Sequence, residues 1–312
     1  MQPILQIRDL SITFTQYSRG IHRRELPVVR ELSLSIAPGE IVAVVGSSGS
    51  GKSLLAHAIL GLLPYNSHRK GEILYKGEPL DDKRLQQLRG TEIALVPQGV
   101  TYLDPLMKVG AQLCRGRRDR RAKELARAAL ERYGMEGTEN LYPFELSGGM
   151  ARRVLLASAV MEHPQFIIAD EPTPGLDVKA AQLVLNHFRE LASEGTAVLF
   201  ITHDLELALT VAHRVAVFYA GETIEEADAE CFLNGRLGHP FTRALWNAMP
   251  QRGFQALAGA QPYPGEVEQG CPFRDQCPHP GQGCGENSIP LLPYGNGAVR
   301  CLYPNQGGVS EC

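Results

Sequence analysis

The stretch from Gly46 to Ser53 constrains this chain more than any other feature of its sequence. It reads Gly46-Ser47-Ser48-Gly49-Ser50-Gly51-Lys52-Ser53, which is the G-x-x-x-x-G-K-[ST] pattern of a phosphate-binding loop. The apolar run at residues 41–45 predicts a buried strand before it, and residues 54–60 predict a helix after it. Because strand, loop and helix are the context that the motif requires, a glycine-rich turn with a chance lysine is the weaker interpretation.

The residue types in this loop point to one kind of ligand. Its glycines allow backbone N–H groups to turn inward around phosphate oxygens, and the following helix adds the partial positive charge of its N-terminus. Lys52 can reach the β- and γ-phosphates, and the hydroxyl of Ser53 can bind Mg²⁺. The loop therefore predicts a nucleoside triphosphate bound with magnesium.

Polar side chains follow three further apolar strands. Asp170 and Glu171 come after residues 166–169, Gln98 follows the strand at 93–96, and His203 follows the strand at 197–201. We expect Asp170 to bind Mg²⁺ and Glu171 to polarise a water for attack on the γ-phosphate. Gln98 is placed to contact Mg²⁺ or that water, and His203 to contact the γ-phosphate. Taken singly, each could be an ordinary surface or structural residue.

A second anion-binding pattern lies in Leu146-Ser147-Gly148-Gly149-Met150, which precedes a predicted helix. One nucleotide does not need two such helix N-termini in one chain. Two chains that face each other would explain both.

Base stacking is predicted for an aromatic side chain near the first hairpin. Phe14 is the first candidate and Tyr17 is the other. An ordinary core aromatic is an equally good interpretation of Phe14.

Composition and charge exclude several classes of protein. The chain has 312 residues and a formal net charge of −3, so no general attraction to nucleic acid or an anionic membrane is implied. The basic run at 115–121 predicts a solvated face, because no aromatic residues interleave with it. No apolar run approaches a membrane span and no signal peptide is recognisable. We expect a cytosolic protein whose membrane role comes through a partner.

In their order, these motifs resemble the ATP-binding subunit of an ABC transporter over roughly residues 4–250. The resemblance implies a P-loop α/β core with a parallel sheet, an antiparallel β subdomain and a helical subdomain inserted at about 99–157. It implies that Gln98, Asp170, Glu171 and His203 act on ATP, that Asp177 lies in the D-loop, and that nucleotide-binding domains pair head to tail. Met150 and Pro174 depart from the common pattern.

The C-terminal part carries a narrower resemblance. Residues 98–105, 239–245 and 270–278 are similar to the oligopeptide, dipeptide and nickel importer subfamily. This implies a nucleotide-binding domain at 1–237, an extension at 238–312, a second ATPase subunit, two permeases and an extracytoplasmic binding protein. The cargo that this resemblance implies is a peptide, with nickel or a metal chelate as the alternative. The resemblance also implies that this subunit lies at the cytoplasmic face of the membrane, bound to the permease.

Two other functions remain to be weighed. An ABC ATPase that acts on nucleic acid or the ribosome is disfavoured by the single nucleotide-binding half and the importer-like tail. A regulator that binds ATP without hydrolysing it is disfavoured because Glu171 and His203 are both present.

A group of four cysteines predicts a metal site in the extension. Cys271, Cys277, Cys284 and Cys301 are spaced C-x5-C-x6-C-x16-C, in a region with too little apolar periodicity to build its own core. Four thiolates suit zinc or an iron–sulfur cluster, and the subfamily resemblance implies a [4Fe–4S] cluster. Zinc, and free or disulfide-paired thiols, are the alternatives.

Overall fold

A computed structural model describes residues 2–18, 22–253, 255, 259–267 and 269–304. Its contacts divide the chain into two compact units. The first contains the described residues of Met1–Ala37, Val42–Asp81 and Ile201–Cys312, and the second contains Pro38–Ile41 and Asp82–Phe200. The α/β class that the sequence predicts is confirmed.

The strands and helices are numbered in chain order. The strands of the described residues are β1 (Leu5–Ser18), β2 (His22–Ile36), β3 (Ile41–Gly46), β4 (Ser67–Tyr75), β5 (Glu78–Pro79), β6 (Ile93–Val96), β7 (Phe166–Asp170), β8 (Ala197–Thr202), β9 (Arg214–Tyr219), β10 (Glu222–Asp228), β11 (Leu292–Tyr294) and β12 (Gly297–Val299). The α-helices are α1 (Lys52–Ile59), α2 (Asp82–Leu88), α3 (Val109–Leu113), α4 (Arg120–Arg132), α5 (Gly148–Val160), α6 (Val178–Ser193), α7 (Leu205–Val211), α8 (Ala229–Leu233) and α9 (Pro240–Asn247).

The first unit contains an antiparallel sheet in the order β2-β1-β4-β5. The polar and basic residues near the tip of the first hairpin are part of its strands, since β1 and β2 stay paired out to Ser18 opposite His22. Polar residues can extend a hairpin in this way because backbone hydrogen bonds, and not apolar burial, hold an exposed ladder together.

The phosphate loop of the first unit leaves a fully buried strand. All six residues of β3 are buried, and β3 is parallel to β9, which pairs with β10 on its other side. A Cβ at Gly46 would lie 2.1 Å from the carbonyl oxygen of Phe218, a distance that no side chain tolerates. Glycine is therefore required where the chain leaves the sheet.

The second unit brings two of the predicted strand ends together. Strands β6 and β7 are parallel, with Val96 opposite Ala169. Parallel strands end at the same edge of a sheet, so Gln98 and Asp170 follow neighbouring strand ends. In the same unit, Phe188 of α6 packs against Phe200 of β8 with ring centroids 6.0 Å apart.

The C-terminal residues continue the sheet of the first unit. β12 pairs with β10, with Val299 opposite Glu225, and Phe273 packs against Phe241 with centroids 5.4 Å apart. The region after residue 237 is thus built onto the first unit, while the domain boundary at 237/238 stays a prediction. In the described part of the chain no helix has both the length and the apolarity to cross a membrane.

Candidate nucleotide-binding and hydrolysis residues

The phosphate loop is held by its own lysine. Lys52 is buried, and its Nζ donates to the carbonyl oxygens of Gly46 at 2.7 Å and Ser47 at 2.9 Å. Gly51 caps α1 with φ of 98°, a left-handed conformation that favours glycine. The lysine and this glycine together fold the backbone into a closed turn at the N-terminus of the helix.

The loop offers donors that suit an anion. No acidic residue lies in the first turn of α1, so the positive end of the helix dipole is not neutralised there. The Oγ of Ser50 is buried and has no hydrogen-bond partner among the described residues. Ser48 and Gly49 lie exposed at the tip, and Ser53 is half-buried on α1. A buried hydroxyl without a partner, next to the N-terminus of a helix, fits a phosphate oxygen.

The two candidates for base stacking lie on β1 in the same unit. Phe14 is half-buried and stands opposite Leu26 of β2, whereas the ring of Tyr17 is 72% exposed. The ring of Phe14 is thus less exposed than that of Tyr17, and the choice between the two remains a prediction.

His203 directly follows β8 and is exposed. The next residue, Asp204, caps α7 by accepting from the backbone N–H of Leu207 at 3.0 Å. A strand end and a capped helix therefore fix the backbone on both sides of His203.

The two acids of the second unit differ in backbone conformation. Asp170 ends β7, and both Asp170 and Glu171 are buried. Glu171 has φ of 48°, in the left-handed region that residues with a Cβ rarely occupy. Such a conformation costs on the order of 1 kcal/mol and persists only when neighbouring contacts hold it.

Arg152 of α5 supplies those contacts. Its Nη1 donates to the backbone carbonyl of Glu171 at 2.6 Å, and its Nη2 donates to the backbone carbonyl of Gln98. Burial lowers the pKa of the guanidinium, and the charge of Glu171 acts in the opposite direction. One buried side chain thus connects the backbone after β6 with the backbone after β7, and Gln98 is left with an exposed side chain.

The Ser-Gly-Gly segment lies at the start of α5 as predicted. Ser147 is the N-cap and accepts from the backbone N–H of Met150 at 3.3 Å. A Cβ at Gly149 would come within 3.1 Å of the carbonyl oxygen of Gly175, while Gly148 has open space. The close approach of Gly149 to Gly175 accounts for the need for glycine there.

Asp177 begins the next helix of this unit. It is exposed and caps α6, where its Oδ1 accepts from the backbone N–H of Ala180 at 2.9 Å. Its carboxylate already has this structural role, so a further role toward nucleotide stays a prediction.

The four cysteines of the extension lie near one another. The charges of Cys277, Cys284 and Cys301 all act on Cys271, whose thiol pKa is raised to about 12, first by burial. The backbone N–H of Cys271 donates to the carbonyl of Cys284 at 2.7 Å. However, no group of three or more His, Cys, Asp or Glu side chains in the described residues is arranged to hold a metal ion. The predicted metal site is therefore not confirmed.

His239 is a neighbour of this cysteine group that sequence reasoning did not single out. Its Nδ1 accepts from the backbone N–H of Phe241 at 3.0 Å, and its Nε2 lies 3.8 Å from the Sγ of Cys271. Burial lowers the pKa of His239 to about 3, which keeps the ring neutral. The role of Arg152 was missed in the same way, since its signal was one of two adjacent arginines in a helix of mostly small and apolar residues.

Two family models match the chain. One, described as ABC transporter, matches residues 29–174. The other, described as oligopeptide/dipeptide transporter, C-terminal region, matches residues 224–284. The second match overlaps the segment with the four cysteines only in part.

Curated relatives match over nearly the whole length. The probable D,D-dipeptide transport ATP-binding protein DdpD of Escherichia coli (strain K12) is 37% identical over 99% of this chain and 99% of its own length. The oligopeptide transport ATP-binding protein OppD of Salmonella typhimurium is 33% identical over 96% of this chain and 93% of its own.

A solved structure has the same fold. The dimeric structure of a post-hydrolysis state of the ATP-binding cassette MJ0796 bound to ADP and Pi matches with a TM-score of 0.63 and 27% identity. It covers 72% of this chain, and the match includes 98% of that cassette.

Proposed function

This chain belongs to the family of ABC transporter ATP-binding proteins, and on that premise we propose that it hydrolyses ATP to drive peptide uptake through a membrane permease. The observation that carries hydrolysis is the phosphate loop, in which buried Lys52 bonds to two loop carbonyls and the hydroxyl of Ser50 is buried without a partner. Near full-length similarity to dipeptide and oligopeptide transport proteins supports the coupling to transport.

Magnesium is the ion expected to accompany ATP. Ser53, Gln98 and Asp170 would hold it, and they offer a hydroxyl, an amide and a carboxylate oxygen, which are the hard ligands that Mg²⁺ prefers. Bound there, the ion would neutralise charge on the phosphates. Lys52 and the backbone N–H groups of the loop would orient the γ-phosphate.

Glu171 is the proposed general base, and His203 the proposed contact to the γ-phosphate. The hydrogen bond from Arg152 to the Glu171 carbonyl supports this assignment, because it keeps the backbone of the base in a strained conformation. A carboxylate that accepts a proton from water must be oriented toward that water. A backbone held in one conformation reduces the entropy that is lost when the carboxylate is oriented.

A second ATPase subunit would complete the machinery. We propose that Ser147, Gly148, Gly149 and Asp177 act on ATP held by that partner, which pairs head to tail with this chain. Ser147 and Gly148 are exposed at the start of α5, so a helix N-terminus is available to an anion from outside the chain. Two permease subunits and an extracytoplasmic binding protein would form the rest of an importer, with this chain bound at the cytoplasmic face of the membrane.

For the cysteine group we propose a [4Fe–4S] cluster held by Cys271, Cys277, Cys284 and Cys301. The backbone hydrogen bond from Cys271 to Cys284 supports it, because it holds two of the four cysteines next to each other. A bound cluster would cross-link a segment that has few apolar contacts of its own, so its proposed role is structural.

Uptake tests the proposed cargo. Cells that depend on this transporter should accumulate a labelled dipeptide when they carry the unchanged chain, and should lose that uptake with Lys52→Ala. Uptake of labelled nickel ion in place of the dipeptide, lost with the same variant, would assign the metal cargo instead. Full peptide uptake with Lys52→Ala would refute the motor role.

A further inference from the structure

A short segment of the C-terminal extension lies against the phosphate loop. We call residues 259–267 the strap. All of its contacts described below are made within the first unit, and none is foreseen by the motifs that define the nucleotide site. The strap lies more than two hundred positions from the phosphate loop along the chain.

One end of the strap bonds directly to the loop. The Oγ of Ser47 donates a hydrogen bond to Oε1 of Gln261. Ser47 is the residue next to Gly46, and its carbonyl also accepts from Lys52. The side chain of Gln261 therefore stands at the loop that is expected to wrap around the phosphates.

The other end of the strap runs along β2. A Cβ at Gly265 would lie 3.5 Å from Cδ1 of Leu26, and Nη1 of Arg30 donates to the carbonyl of Val267 at 2.7 Å. Leu26 is the residue opposite Phe14 in the hairpin. The strap thus extends from the phosphate loop to the strand beside the proposed base-stacking aromatic.

The strap is also tied to the cysteine group. Nε2 of Gln276 donates to the carbonyl of Ala260 at 2.5 Å, and Gln276 is the residue before Cys277. The middle of the strap has little packing, since the ring of Tyr263 is 77% exposed. A segment held by a few polar contacts and little buried apolar surface opens at low free-energy cost.

We propose that the strap is an autoinhibitory element that competes with nucleotide for the phosphate loop. The proposal rests on the proposed function, because it regulates that same site. Strap and nucleotide would use the same span, from Ser47 at one end to the neighbourhood of Phe14 at the other. The strap must then be released before ATP binds fully, and its bond to Gln276 places that release under the influence of the cysteine group.

Nucleotide binding to the isolated full-length chain tests this directly. N-methylanthraniloyl-ATP is mixed with the chain in a stopped-flow fluorimeter, and the association rate constant and Kd are measured. Gln261→Ala removes the bond to Ser47 without altering the loop itself. Since one hydrogen bond contributes about 0.5–1.5 kcal/mol, we expect binding to become about two- to twelvefold tighter, with faster association.

Two control variants and a second strap variant distinguish release of the strap from a general effect of substitution on nucleotide binding. Gln87→Ala replaces an exposed glutamine of α2, and Tyr263→Ala removes an exposed side chain of the strap. Both should leave the rate constant and Kd unchanged. Gln276→Ala releases the strap at Ala260 and should change binding in the same direction as Gln261→Ala, even if one of the two variants folds poorly.

The outcomes distinguish the two proposals. Equal or weaker binding by both Gln261→Ala and Gln276→Ala, with normal binding by the unchanged chain, would overturn the strap and leave the ATPase intact. Failure of the unchanged chain and of both released variants to bind the probe would overturn the proposed function itself.

Discussion

Arg152 and Glu171 are joined by a hydrogen bond of 2.6 Å from Nη1 of the guanidinium to the backbone carbonyl. Glu171 is the residue with a left-handed backbone of φ 48°. The same guanidinium bonds to the carbonyl of Gln98. One buried cation therefore donates to two backbone carbonyls that flank the proposed chemistry.

Replacing Arg152 should affect turnover more than nucleotide affinity. Arg152→Ala removes charge-assisted bonds of about 1.5–3 kcal/mol, so we expect kcat for ATP hydrolysis to fall roughly ten- to hundredfold. The measurement is kcat against nucleotide Kd. Arg153→Ala is the matched control, because Arg153 also bonds to backbone carbonyls, at Tyr133 and Gly134, but not to Glu171. An equal loss of kcat in both variants would show that Arg152 only stabilises the fold and has no specific effect on Glu171.

Glu171→Gln should bind ATP and hydrolyse it very slowly. The phosphate loop and Mg²⁺ ligands remain, while the attacking water loses its base. Phosphate release under steady-state conditions measures turnover, and size-exclusion chromatography with ATP detects a trapped dimer with the partner subunit. Glu194→Gln changes an exposed acid of the same unit and should hydrolyse normally. Near-normal turnover by Glu171→Gln would contradict the assignment of Glu171 as the general base.

Ser147→Arg should block turnover at the opposite nucleotide site. The N-terminus of α5 would be filled by a long cationic side chain, while this chain's own phosphate loop is unchanged. Nucleotide binding by the isolated chain should therefore keep its Kd, and hydrolysis by the assembled pair should be lost. Hydrolysis at full rate by the isolated monomeric chain would contradict head-to-tail pairing.

Protein purified without oxygen should be brown, with broad absorption near roughly 400 nm from thiolate-bound iron. Cys271→Ser, Cys277→Ser, Cys284→Ser and Cys301→Ser should each lose the colour and lower the melting temperature, because the cluster's cross-links are lost. Cys114→Ser, at a buried free cysteine outside the group, should keep the colour. Colourless protein with stoichiometric zinc would replace the cluster by zinc, and protein with neither metal would end the assignment.

The stability of the second unit should decrease in acid because of His187. Its ring bonds to the hydroxyl of Tyr133, and burial lowers its pKa to about 4, below about 6.5 in the unfolded chain. The unfolded state then binds the extra proton, so the contribution is complete above pH ~6.5 and falls by about 3 kcal/mol toward pH ~4.

Urea unfolding at a series of pH values measures this dependence. His187→Gln should give a visibly shallower loss of unfolding free energy across that range. The matched control is His279→Gln, at an exposed histidine, which should reproduce the slope of the unchanged chain. Identical slopes for all three proteins would show that another group causes the acid sensitivity.

The local elements of the nucleotide site could be read from short stretches of sequence. The phosphate loop, the buried strand before it and the two acids at the end of β7 each depend on residues close together in the chain, whose spacing determines their geometry. The Ser-Gly-Gly helix start belongs with these, since the Ser147 hydroxyl caps the helix by accepting from the backbone N–H of Met150, only three residues on. Family resemblance then assigned roles that spacing alone could not.

Tertiary structure decided the contacts between distant residues. Arg152 is 19 positions from Glu171 and 54 from Gln98, and Gln261 is 214 positions from Ser47. Hydrophobic periodicity predicts which face of an element is buried, but not which polar group it meets there. The fold brings two backbone carbonyls within reach of the Arg152 guanidinium, and it brings the Ser47 hydroxyl within reach of the Gln261 side-chain oxygen. A buried polar group depends on such a partner, which the fold alone supplies.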